Sequence, residues 1–189
     1  MEIEGNIVYF SRHGPENTDD VLRIAKARAE ELGIKNIVVA SNTGATAVKA
    51  AEIFRGARVV AVSRFTGYKE PNTQEFSEEN KRKVESNGGV VLTATHAFSG
   101  LSRAMRKKFS MYLFEEVVSY TLRVFGPGMK VACEIATMAA DAGLVRTDED
   151  VIAIGGTSRG ADTALVLRPV NSSDFFDLRV KEILCKPHF

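Results

Sequence analysis

Asn36-Ile37-Val38-Val39-Ala40-Ser41-Asn42-Thr43-Gly44-Ala45-Thr46-Ala47 is the stretch whose reading decides the fold. Asn36–Ala40 is a short, β-branched apolar run, too short for a helix and suited to a buried strand. Residues 41–46 then concentrate hydroxyl and amide side chains around one glycine. An Ala-rich helix follows, expected over Thr43–Phe54. A buried strand that turns through a polar, glycine-containing loop into a helix is the repeating unit of a parallel α/β sheet.

The same unit recurs on both sides. Asn6–Phe10 reads as a buried strand, followed by a helix with Asn17 or Thr18 as cap and Asp19 and Asp20 in its first turn. Val21, Leu22, Ala25, Ala29 and Leu32 share one face of that helix, which stops at Gly33. Arg58–Ser63 is a third strand, Ser77 caps a charged helix ending near Asn87-Gly88-Gly89, and Val90–Ala94 is a fourth strand. Right-handed crossovers place the C-terminal ends of such strands on one edge, where ligands bind.

The second half changes character. Phe114, Val117, Val118, Thr121, Leu122 and Phe125 follow helical spacing, Gly126-Pro127-Gly128 breaks the chain, and Val131, Ile135, Met138 and Ala142 mark a buried helix. Val151–Gly155, Ala164–Val170 and Leu178–Cys185 read as strands, the last two as an antiparallel pair. No linker divides residues 1–189, so the expectation is a single α/β domain with a mostly parallel central sheet.

Composition narrows the function classes. Of 189 residues, 44% are hydrophobic and 26% charged, which is globular usage, and the net charge of +1 gives no general pull toward nucleic acid or an anionic membrane. No Trp is present, which disfavours a base-stacking platform. Cys133 and Cys185 form no C-x-x-C pair, and Cys133 reads as a core thiol, so neither a disulfide framework nor a metal site is expected. Met1-Glu2-Ile3-Glu4-Gly5 is acidic where a signal peptide is basic, and no apolar run nears the roughly 20 residues of a membrane span. The reading is cytoplasmic.

Three loops carry candidate chemistry. Ser41, Asn42, Thr43, Gly44 and Thr46 offer hydroxyls, backbone N–H groups and a helix dipole to a phosphate, with Gly44 expected to let the backbone approach closely; an ordinary N-cap loop is the alternative. Gly155, Gly156, Thr157, Arg159, Gly160, Asp162 and Thr163 combine a glycine-rich nest with a guanidinium, which suits a second anionic or polar group; a plain glycine turn with a solvated Arg159 is the alternative. Arg12-His13-Gly14 after the first strand, with His96 ending Val91-Leu92-Thr93-Ala94-Thr95-His96, resembles the histidine phosphatases, in which such a His is the phosphorylated nucleophile. The turn that would carry their phosphate-clamping Arg holds Ala45, Thr46, Ala47 and Val48 instead. Two weaker features are the basic run Arg103, Arg106, Lys107 and Lys108, and Glu134 inside an apolar helix. Glu134 is expected either to meet the Gly155–Thr163 turn or to reach solvent.

Glu16-Asn17-Thr18, the run from Leu32 to Ser41, Ser99-Gly100-Leu101, Val131–Ile135, Met138–Gly143, Gly155–Ala164 and Phe175–Asp177 with Glu182–Pro187 together resemble the stand-alone proteins built like the C-terminal domain of pyruvate kinase. The resemblance spans nearly the whole chain. It implies a three-layer α/β/α sandwich, a phosphate on Ser41–Thr46, and a glycine-rich loop closing over the ligand. Because the catalytic barrel of pyruvate kinase is absent, no kinase activity is implied. It further implies flavin mononucleotide (FMN) as cofactor, its ring near Phe65, Thr66, Gly67, His96 and the Gly155–Thr163 turn. The partner implied is a small phosphorylated ligand rather than nucleic acid or a membrane, and a homo-oligomer is left open. The alternative function is a phosphoryl-transfer enzyme of the histidine phosphatase type using His13.

Overall fold

The computed structural model describes residue 2 and residues 5–189; Met1, Ile3 and Glu4, part of the N-terminal segment read above, lie outside the described residues. The strands are β1 (Val8–Phe10), β2 (Asn36–Ala40), β3 (Arg58–Ser63), β4 (Val90–Thr93), β5 (Val151–Gly155), β6 (Thr163–Arg168) and β7 (Arg179–Pro187). The helices are α1 (Thr18–Leu32), α2 (Ala45–Ile53), α3 (Glu78–Ser86), α4 (Gly100–Phe109), α5 (Phe114–Arg123) and α6 (Pro127–Asp141). Short 3-10 turns at Pro15–Asn17 and Ser172–Asp177 complete the chain.

All seven strands join one sheet in the order β1-β7-β6-β5-β2-β3-β4. The β5-β2-β3-β4 block is parallel, with Val38 opposite Ala153 on one side and Val60 on the other. β6 runs antiparallel to both β5 and β7, and β7 is parallel to β1. The sheet is therefore mostly parallel, as expected, and the expected antiparallel pair is β6 with β7.

Period-two alternation splits the strand side chains between two cores. Ile37, Val39, Val59, Ala61, Ile152 and Ile154 pack under α1, α2 and α3, with Leu22, Ala50 and Val84. Val38, Val60, Val62, Val151, Ala153 and Leu165 pack under α6 and α5, with Ala132, Cys133, Ala136 and Val118. Both faces are covered, which gives the three-layer sandwich and explains why the strands read as continuous apolar runs rather than alternating ones. Among the described residues, no helix is long and apolar enough to cross a membrane.

Several local expectations change. β1 is shorter than the run from Asn6 and is not buried: as an edge strand it leaves Val8 and Tyr9 41% and 51% exposed, and Ile7 just before it is 41% exposed. Neither Asn17 nor Thr18 caps α1 through its side chain. Asn17 Nδ2 donates to the Arg12 carbonyl, and the Thr18 hydroxyl donates to Pro15 O while accepting from Ala161 N. α2 begins at Ala45, two residues later than read, because Gly44 takes a left-handed conformation (φ 94°) as its N-cap. Ser77 does cap α3, its hydroxyl accepting from Asn80 N. Gly33, left-handed at φ 68°, ends α1 as read.

Candidate functional site

Parallel strand direction delivers the loops after β2, β3, β4 and β5 to one edge of the sheet, where they surround a cleft of about 940 Å³. That is within the size range of small-molecule sites. The loop after β2 forms its base. Ser41 is buried; its N–H donates to Val62 O, and its Oγ accepts from Ala47 N, the third N–H of α2. The first two N–H groups of α2, on Ala45 and Thr46, have no carbonyl within the helix to receive them. Ser41, Asn42, Thr43 and Thr46 all line the cleft.

Gly44 does not. A Cβ built there meets Asn80 Cβ at 2.5 Å and Phe76 Cε1 at 2.8 Å, so its bare side faces α3. The expectation that Gly44 opens the backbone to a ligand is corrected. It serves the turn and the close approach of α3, whose Asn80 Nδ2 holds Thr43 O at 2.9 Å.

The loop after β5 is a hairpin braced from within. Asp162 is fully buried; one carboxylate oxygen accepts from Thr157 N (3.0 Å) and the other from the Thr163 hydroxyl (2.8 Å), while its own N–H donates to Gly155 O. Gly156 and Gly160 approach each other so closely that a Cβ on Gly156 would stand 2.6 Å from Gly160 O. Gly160 is left-handed, and a Cβ there would lie 2.5 Å from Pro15 Cα, which ties the loop to the start of α1. Gly156, Thr157, Ser158, Arg159 and Gly160 line the cleft; Gly155, Asp162 and Thr163 stand behind it as supports. The Thr157 Oγ1 is buried without a hydrogen-bond partner.

His96 follows β4 and lines the far wall. Its ring lies 5.8 Å from both Phe65 and Tyr68, and these two are 5.4 Å apart. Burial, only partly offset by Glu134, holds the His96 imidazole below the ordinary histidine value, with Lys130, Arg64 and Arg103 adding to the depression. Phe65, Thr66 and Gly67 do not line the cleft; Tyr68 does, with the Arg64 guanidinium 4.3 Å and that of Arg103 4.1 Å from its ring centroid. Arg64 is also held by Glu75 at 2.8 Å.

The third wall comes from α4, α5 and α6. Arg106 pairs with buried Glu116, and Arg123 donates to Ser119 Oγ. Lys130 and Glu134, both buried and one turn apart on α6, form an ion pair, and Glu134 Oε1 also accepts from Phe98 N at 3.0 Å. Glu134 thus neither meets the Gly155–Thr163 turn nor reaches solvent. Burial holds the Lys130 ammonium below the ordinary lysine value despite Glu134. In all, eight cationic side chains (Lys49, Arg64, Lys69, Arg103, Arg106, Arg123, Lys130 and Arg159) and three carboxylates (Glu75, Glu116 and Glu134) line a cleft in a chain of net charge +1. Among the described residues, Arg103, Arg123 and Arg159 make no ion pair.

Sequence reasoning missed Arg64, Tyr68, Arg123 and Lys130. Lys130 had a signal, since it stands four residues before the conspicuous Glu134. Arg103 and Arg106 were visible only as part of a basic run, of which Lys107 and Lys108 do not line the cleft.

His13 and His96 do not converge. They follow β1 and β4, the two opposite edges of the sheet, six strand spacings or roughly 29 Å apart. His13 instead stacks on Phe189 at the C-terminal end of the chain, with ring centroids 6.5 Å apart.

The profile of the family described as "Pyruvate kinase, alpha/beta domain" matches residues 19–167. The chain belongs to this family. A solved pyruvate kinase from Cryptosporidium parvum is similar over 79% of this chain at 15% identity and a TM-score of 0.41, and the matched part is 22% of that protein's length.

Proposed function

We propose that this protein binds a phosphate-bearing small molecule in the cleft at the strand C-terminal edge, with FMN as its ligand. The observation that carries the reading is the concentration of positive charge there, eight cations against three carboxylates, around the N-terminus of α2. Positive potential in a concave, low-dielectric site attracts anions, and the helix start adds directed N–H donors. The phosphate would lie on Ser41–Thr46, with Arg159 lining the same cleft from the neighbouring loop after β5.

FMN fits the residues present. A flavin ring needs flat walls beside polar edge contacts, and the His96 ring with the Arg64 and Arg103 guanidiniums stacked on Tyr68 supplies planar surfaces in the same cleft. The buried Thr157 Oγ1, without a partner, can bond a ring or ribityl oxygen. When bound, the flavin would supply hydride and electron chemistry; this chain's part is to orient it and shield one side.

Calorimetric titration with FMN, riboflavin and inorganic phosphate tests the proposal. FMN should bind more tightly than riboflavin, by a margin that shrinks with added salt. Arg159→Ala should weaken FMN by about 1–3 kcal/mol and leave riboflavin little changed. Equal affinity for FMN and riboflavin, or no binding of either, would overturn the reading.

A further inference from the structure

We infer that this protein pairs with a second copy of itself through the outward face of α5. Tyr112, Phe114, Val117, Tyr120, Val124 and Phe176 are each 52–82% exposed. They form one patch: Tyr112 packs edge-on against Tyr120 at 5.8 Å and Phe114 against Phe176 at 5.9 Å. An aromatic side chain half removed from water buries about 100 Å², so the four aromatics offer roughly 400 Å², to which Val117 and Val124 add. That is the size of the largest patch on an ordinary monomer and about half of what each partner contributes to a stable interface.

The pattern along α5 selects a copy of the same chain as occupant. The exposed positions Phe114, Val117, Thr121 and Val124 are symmetric about Ser119. Two such helices laid antiparallel across a two-fold axis set Phe114 against Val124 of the second copy and Val117 against its Thr121. A self-complementary patch of this kind is what an isologous dimer needs, and opposed helix dipoles favour the antiparallel arrangement. The Arg123 and Arg106 guanidiniums stand 5.4 Å and 5.9 Å from the Tyr120 and Tyr112 ring centroids at the border of the patch, and small β-branched residues at the centre of the stripe allow close approach.

α5 also walls the cleft, and Tyr120 belongs to both surfaces. Pairing therefore fixes the outer side of the proposed ligand site. The oligomeric state is read without any ligand, so its failure is separate from failure of the phosphate-ligand reading.

Sedimentation velocity on the full chain, across a hundredfold range of concentration, should show a species of twice 20.6 kDa. Val117→Glu combined with Val124→Glu should give the monomer with an unchanged circular dichroism spectrum, since both side chains face solvent. Val117→Cys combined with Thr121→Cys should crosslink the two copies under mild oxidation; Cys133 and Cys185 are buried and do not compete. A wild type that is monomeric at every concentration overturns the inference, including a monomer that binds anionic lipid vesicles through this face. So does a dimer that survives the double glutamate substitution.

Discussion

Gly44 shows how one residue's role is set by its surroundings. The glycine signal was legible in the sequence, but its reason was not, because the neighbour that excludes a Cβ is Asn80 on another helix. Both backbone and packing now argue against substitution: φ is 94°, and Asn80 and Phe76 stand inside contact distance. Gly44→Ala should cost at least about 2 kcal/mol of stability from overpacking and left-handed strain, read as a lower urea midpoint. An unchanged midpoint would mean that α3 moves aside freely. The same lesson applies to Asp162, chosen as a ligand contact for its place in a glycine-rich loop. Its two carboxylate oxygens are spent on Thr157 and Thr163, so it holds the loop's shape.

At the scale of elements, strands β2, β3 and β5 were readable because burial on both faces makes each a continuous apolar run, while edge strand β4 is only half-buried and was read from its apolar residues Val90, Val91 and Leu92; the run ends coincide with the loops that build the cleft. α4 was not read as a helix, because its polar, basic sequence from Gly100 to Phe109 buries little more than Ser102. With it went the third wall of the site. Arg123 and Lys130 converge only through the packing of α5 on α6, a long-range fact that no local pattern encodes. The wall has a measurable consequence through His96. Burial lowers its pKa in the folded state, so between that value and the unfolded value of about 6.5 the unfolded chain binds more protons. Stability from this source is full above about pH 6.5 and is lost as the pH falls through that window. Glu134, Lys130, Arg64 and Arg103 are the charged groups facing it. His96→Gln should therefore lose less stability between about pH 7 and pH 5 than the wild type in urea melts. Parallel losses in the two proteins would remove His96 from the account.

For the whole molecule, sheet order separates two readings that loop sequences alone left side by side. A histidine phosphatase brings its two histidines to one phosphoryl group, whereas here they follow the two outermost strands. Exposure to a phosphodonor such as acetyl phosphate should leave no acid-labile phosphohistidine at position 13. His13→Asn should leave FMN affinity unchanged within error. Phosphate at His13, with a phosphatase activity that the substitution abolishes, would restore the enzyme reading.

The sheet order also governs when the molecule can finish folding. β1 is formed by residues 8–10, yet its sheet neighbour β7 ends at Pro187. As the chain leaves the ribosome, the β2–β5 block with its helices can assemble while β1 waits, its backbone hydrogen-bonding groups unmatched, until residues 179–187 have emerged. Contacts so far apart in sequence form slowly, and a waiting edge is exposed to pairing with other nascent chains. The closing step is then the docking of β7 between β6 and β1, fastened by His188 N on Phe10 O.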